Sequence, residues 1–176
     1  MVLSSSLRPW LVPNVLLLVG LAVWGVLRYP HLPDRIPQHI GFDGVDAWTD
    51  RSVGSAFVLV FLHAGVTVLL TACAEAVLRT TPRDEPASGD AAPFAGRALS
   101  PFTPDRPRNR ASARRAARAL LVLDACIGLS LLVGCAVLWR SAPEPHVPGW
   151  LFAAMALPPL VGTALTVAAA VRDRKG

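Results

Sequence analysis

The residues able to do chemistry are few and fall into two groups. Between positions 31 and 46 stand His31, Asp34, His39, Asp43 and Asp46, two imidazoles and three carboxylates within 16 residues. Such ligands suit zinc or manganese, but their spacing is irregular and fits no established ligand pattern, so no metal or other cofactor is expected. A structural reading has His39 bonding loop carbonyls, Asp46 or Thr49 capping the helix that follows, and Trp48 anchoring at a membrane interface. A recognition reading makes Asp34, His39, Asp46 and Trp48 the candidate ligand-binding residues, for a peptide or another envelope component.

The second group is scattered through apolar sequence: His63, Glu75 and Asp124. Ionisable groups inside a membrane span are functional candidates by default. Thr67 and Thr71 follow His63 at i+4 and i+8, so a polar stripe runs down one helix face toward Glu75. It would either hydrogen-bond across helices or line a path for protons or solutes. Glu75 precedes Arg79 by four residues and Asp124 follows Arg118 by six; ion pairing and snorkelling account for both acids. Cys73, Cys126 and Cys135 lack metal-ligand spacing and read as small apolar fillers. No nucleotide-binding loop, HExxH pair or Ser/His/Asp set is present, so enzyme activity is not expected.

The elements that must position these groups follow from composition. Of 176 residues, 53% are hydrophobic and 16% charged, with a mean hydropathy of +0.46. Ordinary globular domains carry about 25% charged residues. Residues 9–27, 52–74 and 145–171 contain no Asp, Glu, Lys or Arg, and 119–139 is interrupted only by Asp124. Four spans are expected, at about 9–27, 53–78, 119–139 and 150–171, each near the ~20 residues a helix needs to cross a bilayer. Their runs do not alternate in polarity as barrel strands do. The fold class is therefore all-α, with four transmembrane helices arranged as two helical hairpins. The first apolar run is too long for a signal peptide and lacks a small-x-small cleavage pattern, so it is expected to remain as an anchor.

Basic residues set the expected orientation. The N-terminus, the 79–118 connection and the C-terminal tail hold 13 Arg and Lys, against 4 in the two other connections. Both termini are then cytoplasmic, in a multi-pass protein of a bacterial cytoplasmic membrane. The net charge of +5 reflects arginines that lead into the third span and meet anionic lipid. No aromatic residues are interleaved for base stacking, so the bilayer is the expected partner and nucleic acid is not. Oligomeric state is not readable.

The connections differ. Residues 80–118 are rich in Pro, Gly, Asp and Arg and read as a disordered cytoplasmic linker, with 111–118 extending the third helix inward. The outer loop, 28–52, is denser in special residues: Pro30, Pro33 and Pro37 fix φ, and Gly41 and Gly44 permit tight turns. The chain is thus expected to divide into a first hairpin (1–79, containing this outer loop), the linker (80–118) and a second hairpin (119–176). Pro158 and Pro159 should kink the fourth span and free carbonyls that need partners. Gly162, Thr163 and Thr166 should pack against Ser130 and Gly134.

The segment Tyr29-Pro-x-Leu-Pro-Asp-x-Ile-Pro-x-His-x-Gly-x-x-Gly-x-Asp-x-Trp, directly after a first membrane helix, resembles bacterial domain of unknown function 1648. Leu32, Pro33, Asp34, Ile36, Pro37, His39, Gly44, Asp46 and Trp48, followed by the basic Arg51, carry the resemblance. It covers roughly residues 10–75. The domain also occurs in SdpI-like immunity proteins, which protect a producer from its own secreted toxic peptide and capture a cytoplasmic repressor. The resemblance implies a receptor, sensor or immunity-type module, with an extracytoplasmic peptide or a cytoplasmic regulator as partner. The alternatives are a small transporter or channel component using His63 and the fourth span, or a structural accessory subunit of a membrane complex.

Overall fold

The computed structural model describes residues 4–41, 44–85, 106–140 and 148–175, with the backbone alone for 40, 41, 44, 46 and 175. Helix α1 (Arg8–Arg28) passes through a 3₁₀ turn (Tyr29–His31) into two strands, β1 (Arg35–Gly41) and β2 (Gly44–Asp50). A short helix α2 (Val53–Ala56) and the long α3 (Val58–Arg79), α4 (Arg110–Leu138) and α5 (Trp150–Lys175) follow. Four segments are long and apolar enough to cross a membrane: 8–31, 58–79, 110–138 and 150–174. The chain is thus a mostly helical, multi-pass membrane protein. Such spans satisfy every backbone donor and acceptor internally, as lipid requires.

The helices begin where the side chains let them. Ser52 Oγ accepts from the Ser55 amide at 3.0 Å, while Ser55 Oγ accepts from the Ser52 amide at 2.9 Å. This reciprocal cap starts α2 and replaces the cap expected from Asp46 or Thr49. At Phe57 the chain departs from helical geometry before α3 begins, so the expected span at 53–78 is two helices. Asn109 caps α4, its Oδ1 accepting from the Ser112 amide at 2.8 Å. The fourth span runs as one helix through Pro158 and Pro159. Pro159 lacks the N–H that would bond Met155 O, and the Ser130 hydroxyl of α4 donates to that carbonyl instead.

Helix α4 is central, packing against α1, α3 and α5. Its small residues permit this. A Cβ on Gly162 of α5 would lie 3.0 Å from Leu123 Cα and 3.1 Å from Cys126 Cβ. Gly162 therefore seats α5 on Leu123 and Cys126, about one to three turns from the Ser130 and Gly134 that the sequence suggested. The Ser4 amide meets Glu75, and the Arg108 amide meets Asp173. The start of α1, the end of α3, the start of α4 and the end of α5 thus share one end of the bundle, called here the terminal end.

The opposite end carries an antiparallel β-hairpin, which adds a small β element to the all-α expectation. Its register pairs Arg35 with Asp50, Ile36 with Thr49, Pro37 with Trp48, His39 with Ala47 and Ile40 with Val45. Gln38 and Asp46 are consequently extra residues, each a bulge in its strand. Leu32 and Ile36 are buried and plug the bundle beneath the hairpin. Arg51 ties the base: its guanidinium donates to Leu32 O at 2.5 Å, pairs with Asp34 Oδ1 at 3.3 Å and lies 5.8 Å from the Tyr29 ring centre.

Trp139 centres the core at this end. Only 1% exposed, it meets Trp24 edge-to-face at 5.1 Å, and its Nε1 donates to Ala56 O at 2.8 Å. An aromatic residue near a span end suggests an interfacial anchor, but Trp139 is a packing centre. Buried Tyr and Trp need such a partner for their polar atom. The close approach of α1 depends on Gly25, where a Cβ would fall 2.8 Å from the Trp139 ring.

At the terminal end the described parts of the long connection are held in place. The Arg83 and Asp84 amides donate to Pro107 O and Arg108 O at 3.0 and 3.2 Å. Arg110 grips Glu85 with two hydrogen bonds of 2.8 and 2.7 Å. Both flanks of the stretch expected to be disordered, 80–118, are therefore fixed, and its centre, 86–105, lies outside the described residues.

Candidate functional site

A cavity of about 630 Å³ lies at the hairpin end. Its roof is the hairpin, through Pro37, Gln38, His39 and Thr49. One wall is Gly54 and Ser55 of α2 with Val58 and Leu59 of α3; the other is Leu151, Phe152, Met155 and Ala156 of α5. Ser130, Gly134, Val137 and Leu138 of α4 form the floor. The volume falls within the roughly 300–1,000 Å³ typical of ligand sites, and the mainly apolar walls fit that type.

The bulge explains the roof. Successive side chains of a regular strand point to opposite faces, so Pro37 and His39 should share one face and Gln38 the other. The extra residue at Gln38 breaks that alternation, and three consecutive residues line the cavity. Bulges re-aim side chains in this way beside binding sites. The serine hydroxyls of the walls are engaged with the protein: Ser55 donates to Asp50 O at 2.9 Å and Ser130 to Met155 O. Gln38, His39 and Thr49 thus place the roof's polar side chains over an apolar chamber.

Of the three candidate ligand residues in the loop whose side chains are described, Asp34, His39 and Trp48, only His39 lines this cavity. Asp34 is 97% exposed at its side chain and partners Arg51. Trp48 is half-buried opposite Pro37. His31 turns back to Leu27 O at the end of α1, at 3.2 Å. The side chains of Asp43 and Asp46 lie outside the described residues. Among the described residues, no three of His, Cys, Asp or Glu gather in a way that could hold a metal.

The intramembrane group is more coherent. Thr67 Oγ1 donates to Asp124 Oδ1 at 3.1 Å, joining α3 to α4. His63, one turn away on α3, is fully buried against Gly128 of α4, where a Cβ would lie 2.6 Å from His63 Nε2. From α1, Asn14 donates through Nδ2 to Leu121 O at 3.1 Å. Asn14, His63 and Asp124 are each 0% exposed. Asp124 is thus placed with Thr67, and Arg118 instead lies 5.6 Å from the Trp10 ring centre. Glu75 stands apart at the terminal end, bonded by Ser4 and paired with Arg79 at 3.5 Å. Asn14 was missed by a search for ionisable residues; its signal is an amide inside an otherwise apolar span.

Residues 16–63 match the model of a domain of unknown function, DUF1648. The matched stretch runs from within α1 through the hairpin and ends at His63, so it contains the roof and one wall of the cavity but neither α4 nor α5. No curated protein and no solved structure matches the chain.

Proposed function

We propose that this membrane protein is a receptor or immunity-type module that takes an apolar segment of an extracytoplasmic peptide into the cavity beneath its β-hairpin. The basic excess, 13 Arg and Lys on the connections and tails of the terminal end against 4 on the hairpin side, favours an outward-facing hairpin. The observation that carries the reading is the roof of this apolar chamber, lined in succession by Pro37, Gln38 and His39 beside the bulge at Gln38. Among the described residues the two-stranded sheet also leaves an unpaired edge on each strand, a template for an extended peptide. Apolar side chains would enter between α3 and α5, while Gln38 and Thr49 hydrogen-bond the peptide backbone.

Titration of nanodisc-held protein with a dansyl-labelled, Leu- and Phe-rich peptide tests this through energy transfer from the tryptophans. Saturable transfer that unlabelled peptide displaces and Val58→Trp abolishes is expected, because the indole fills the chamber. Transfer that rises without saturation and is equal in Val58→Trp would overturn the reading.

A further inference from the structure

The polar cluster at the Asp124 level has more hydrogen-bonding capacity than the protein uses. Asn14 Oδ1, His63 Nδ1 and Nε2, Thr71 Oγ1 and Asp124 Oδ2 are all buried without a partner among the described residues. Unpaired buried polar atoms are rare in native proteins, and each asks for an explanation. Here they come from three helices: Asn14 of α1 bonds Leu121 O of α4, Thr67 of α3 bonds Asp124 of α4, and His63 of α3 lies against Gly128 of α4.

We infer that this level of the bundle binds a proton, held between His63 and Asp124 through internal water. The spacing fits. Thr67, bonded to Asp124, lies four residues from His63, and Gly128, which seats His63, lies four residues from Asp124. The two side chains are therefore about one helical turn apart, ~5.4 Å along the axis. A water can bridge that gap, since a buried water typically makes about 3 hydrogen bonds to otherwise unpaired groups.

Charge gives the same answer. An ionised side chain inside a membrane span is costly, and the Thr67 hydroxyl alone is a thin counterweight for a carboxylate. With one proton on the pair, the site is neutral overall, as carboxylic acid with imidazole or as carboxylate with imidazolium. A second proton, taken from bulk water, makes it a cation, so the two groups titrate as one unit.

The other titratable groups are placed so as not to neutralise it. On α3, Glu75 is engaged with Ser4 and Arg79. On α4, Arg118 lies over Trp10 and Cys126 borders Gly162. Helix α1 offers the neutral Asn14, and the charges of α5 are confined to Arg172, Asp173, Arg174 and Lys175 at its end. This inference stands apart from the cavity reading and survives its failure.

Infrared difference spectra of nanodisc-held protein, recorded against pH, test it. The expected result is a carboxylic-acid carbonyl band that changes with pH, is lost in D124N and stays in E75Q. In H63Q the band should persist while its pH dependence shifts, because the coupled partner is gone. Nitrogen-15 spectra of His63 in the unmodified protein should report the same transition, which keeps the test independent of whether D124N folds. A pH-difference spectrum in the acid-carbonyl region that is identical in D124N and the unmodified protein, or a His63 signal that does not change over the pH range, overturns the inference.

Discussion

The hydroxyl of Thr67 and the carboxylate of Asp124 meet at 3.1 Å across the α3–α4 contact, 57 residues apart in sequence. The bond ties the end of the first expected helical hairpin to the start of the second, so the two halves share a buried polar level as well as apolar packing.

Replacing Thr67 with Val keeps the shape and removes the donor. Interhelical hydrogen bonds in membranes average ~0.6 kcal/mol and reach ~1.7, and Asp124 would lose its one hydroxyl donor among the described residues. Thr67→Val should therefore lower stability by about 0.6–1.7 kcal/mol in a denaturing-detergent titration followed by circular dichroism. Thr67→Ser should recover most of the loss.

Two glycines of α1 make opposite predictions. A Cβ at Gly25 would lie 2.7 Å from Phe57 Cε1 and 2.8 Å from the Trp139 ring, whereas one at Gly20 meets nothing within 4 Å. Gly25→Ala should cost about 1–3 kcal/mol, the usual range for overpacking. Gly20→Ala should be neutral, or stabilising by up to roughly 1 kcal/mol from helix propensity. The same titration measures both.

Arg51 holds the hairpin base through Leu32 O and Asp34. Hydrogen bonds to charged groups are worth about 1.5–3 kcal/mol, so Arg51→Ala should speed amide exchange in β1 and β2 by roughly tenfold or more. Arg51→Lys should restore little of it, because an ammonium cannot reproduce the guanidinium fork.

The Glu85 carboxyl is held below the usual carboxylate range, first by hydrogen bonds from Arg110 and then by the charge of that guanidinium. A depressed folded value means that the contact supports the fold above the ordinary glutamate value and loses that support as pH falls through the lowered one. Exchange protection of the Arg83 and Asp84 amides should drop on acidification. Glu85→Gln should start from weaker protection and show no such drop.

Much of this fold was legible because lipid restricts what a chain can do. The charge-free runs mark four helices, and a helix is the one way those runs can bury their backbone. The turn at Gly41 and Gly44 was legible too, but the flanking strands were hidden, since Pro37 and the extra residues Gln38 and Asp46 break the alternation that marks a strand. The stripe of His63, Thr67 and Thr71 was visible on α3 from its four-residue spacing. Its pairing with Asp124 was not, because helix pairing depends on close approaches such as Gly128 on His63 and Gly162 on Leu123. The cavity was beyond reach for a related reason: it takes residues from both strands and from α2, α3, α4 and α5, and one bulge decides which of them face it.

Site-specific photo-crosslinking tests the cavity as a peptide site most directly. Benzoylphenylalanine at Gln38 in the roof is compared with the same group at Val161, exposed on α5, in nanodiscs supplied with the Leu- and Phe-rich peptide. The prediction is a peptide adduct at position 38 that excess unlabelled peptide suppresses, with lipid adducts alone at position 161. Lipid adducts alone at both positions, or peptide adducts of equal yield at both, would contradict a peptide site beneath the hairpin.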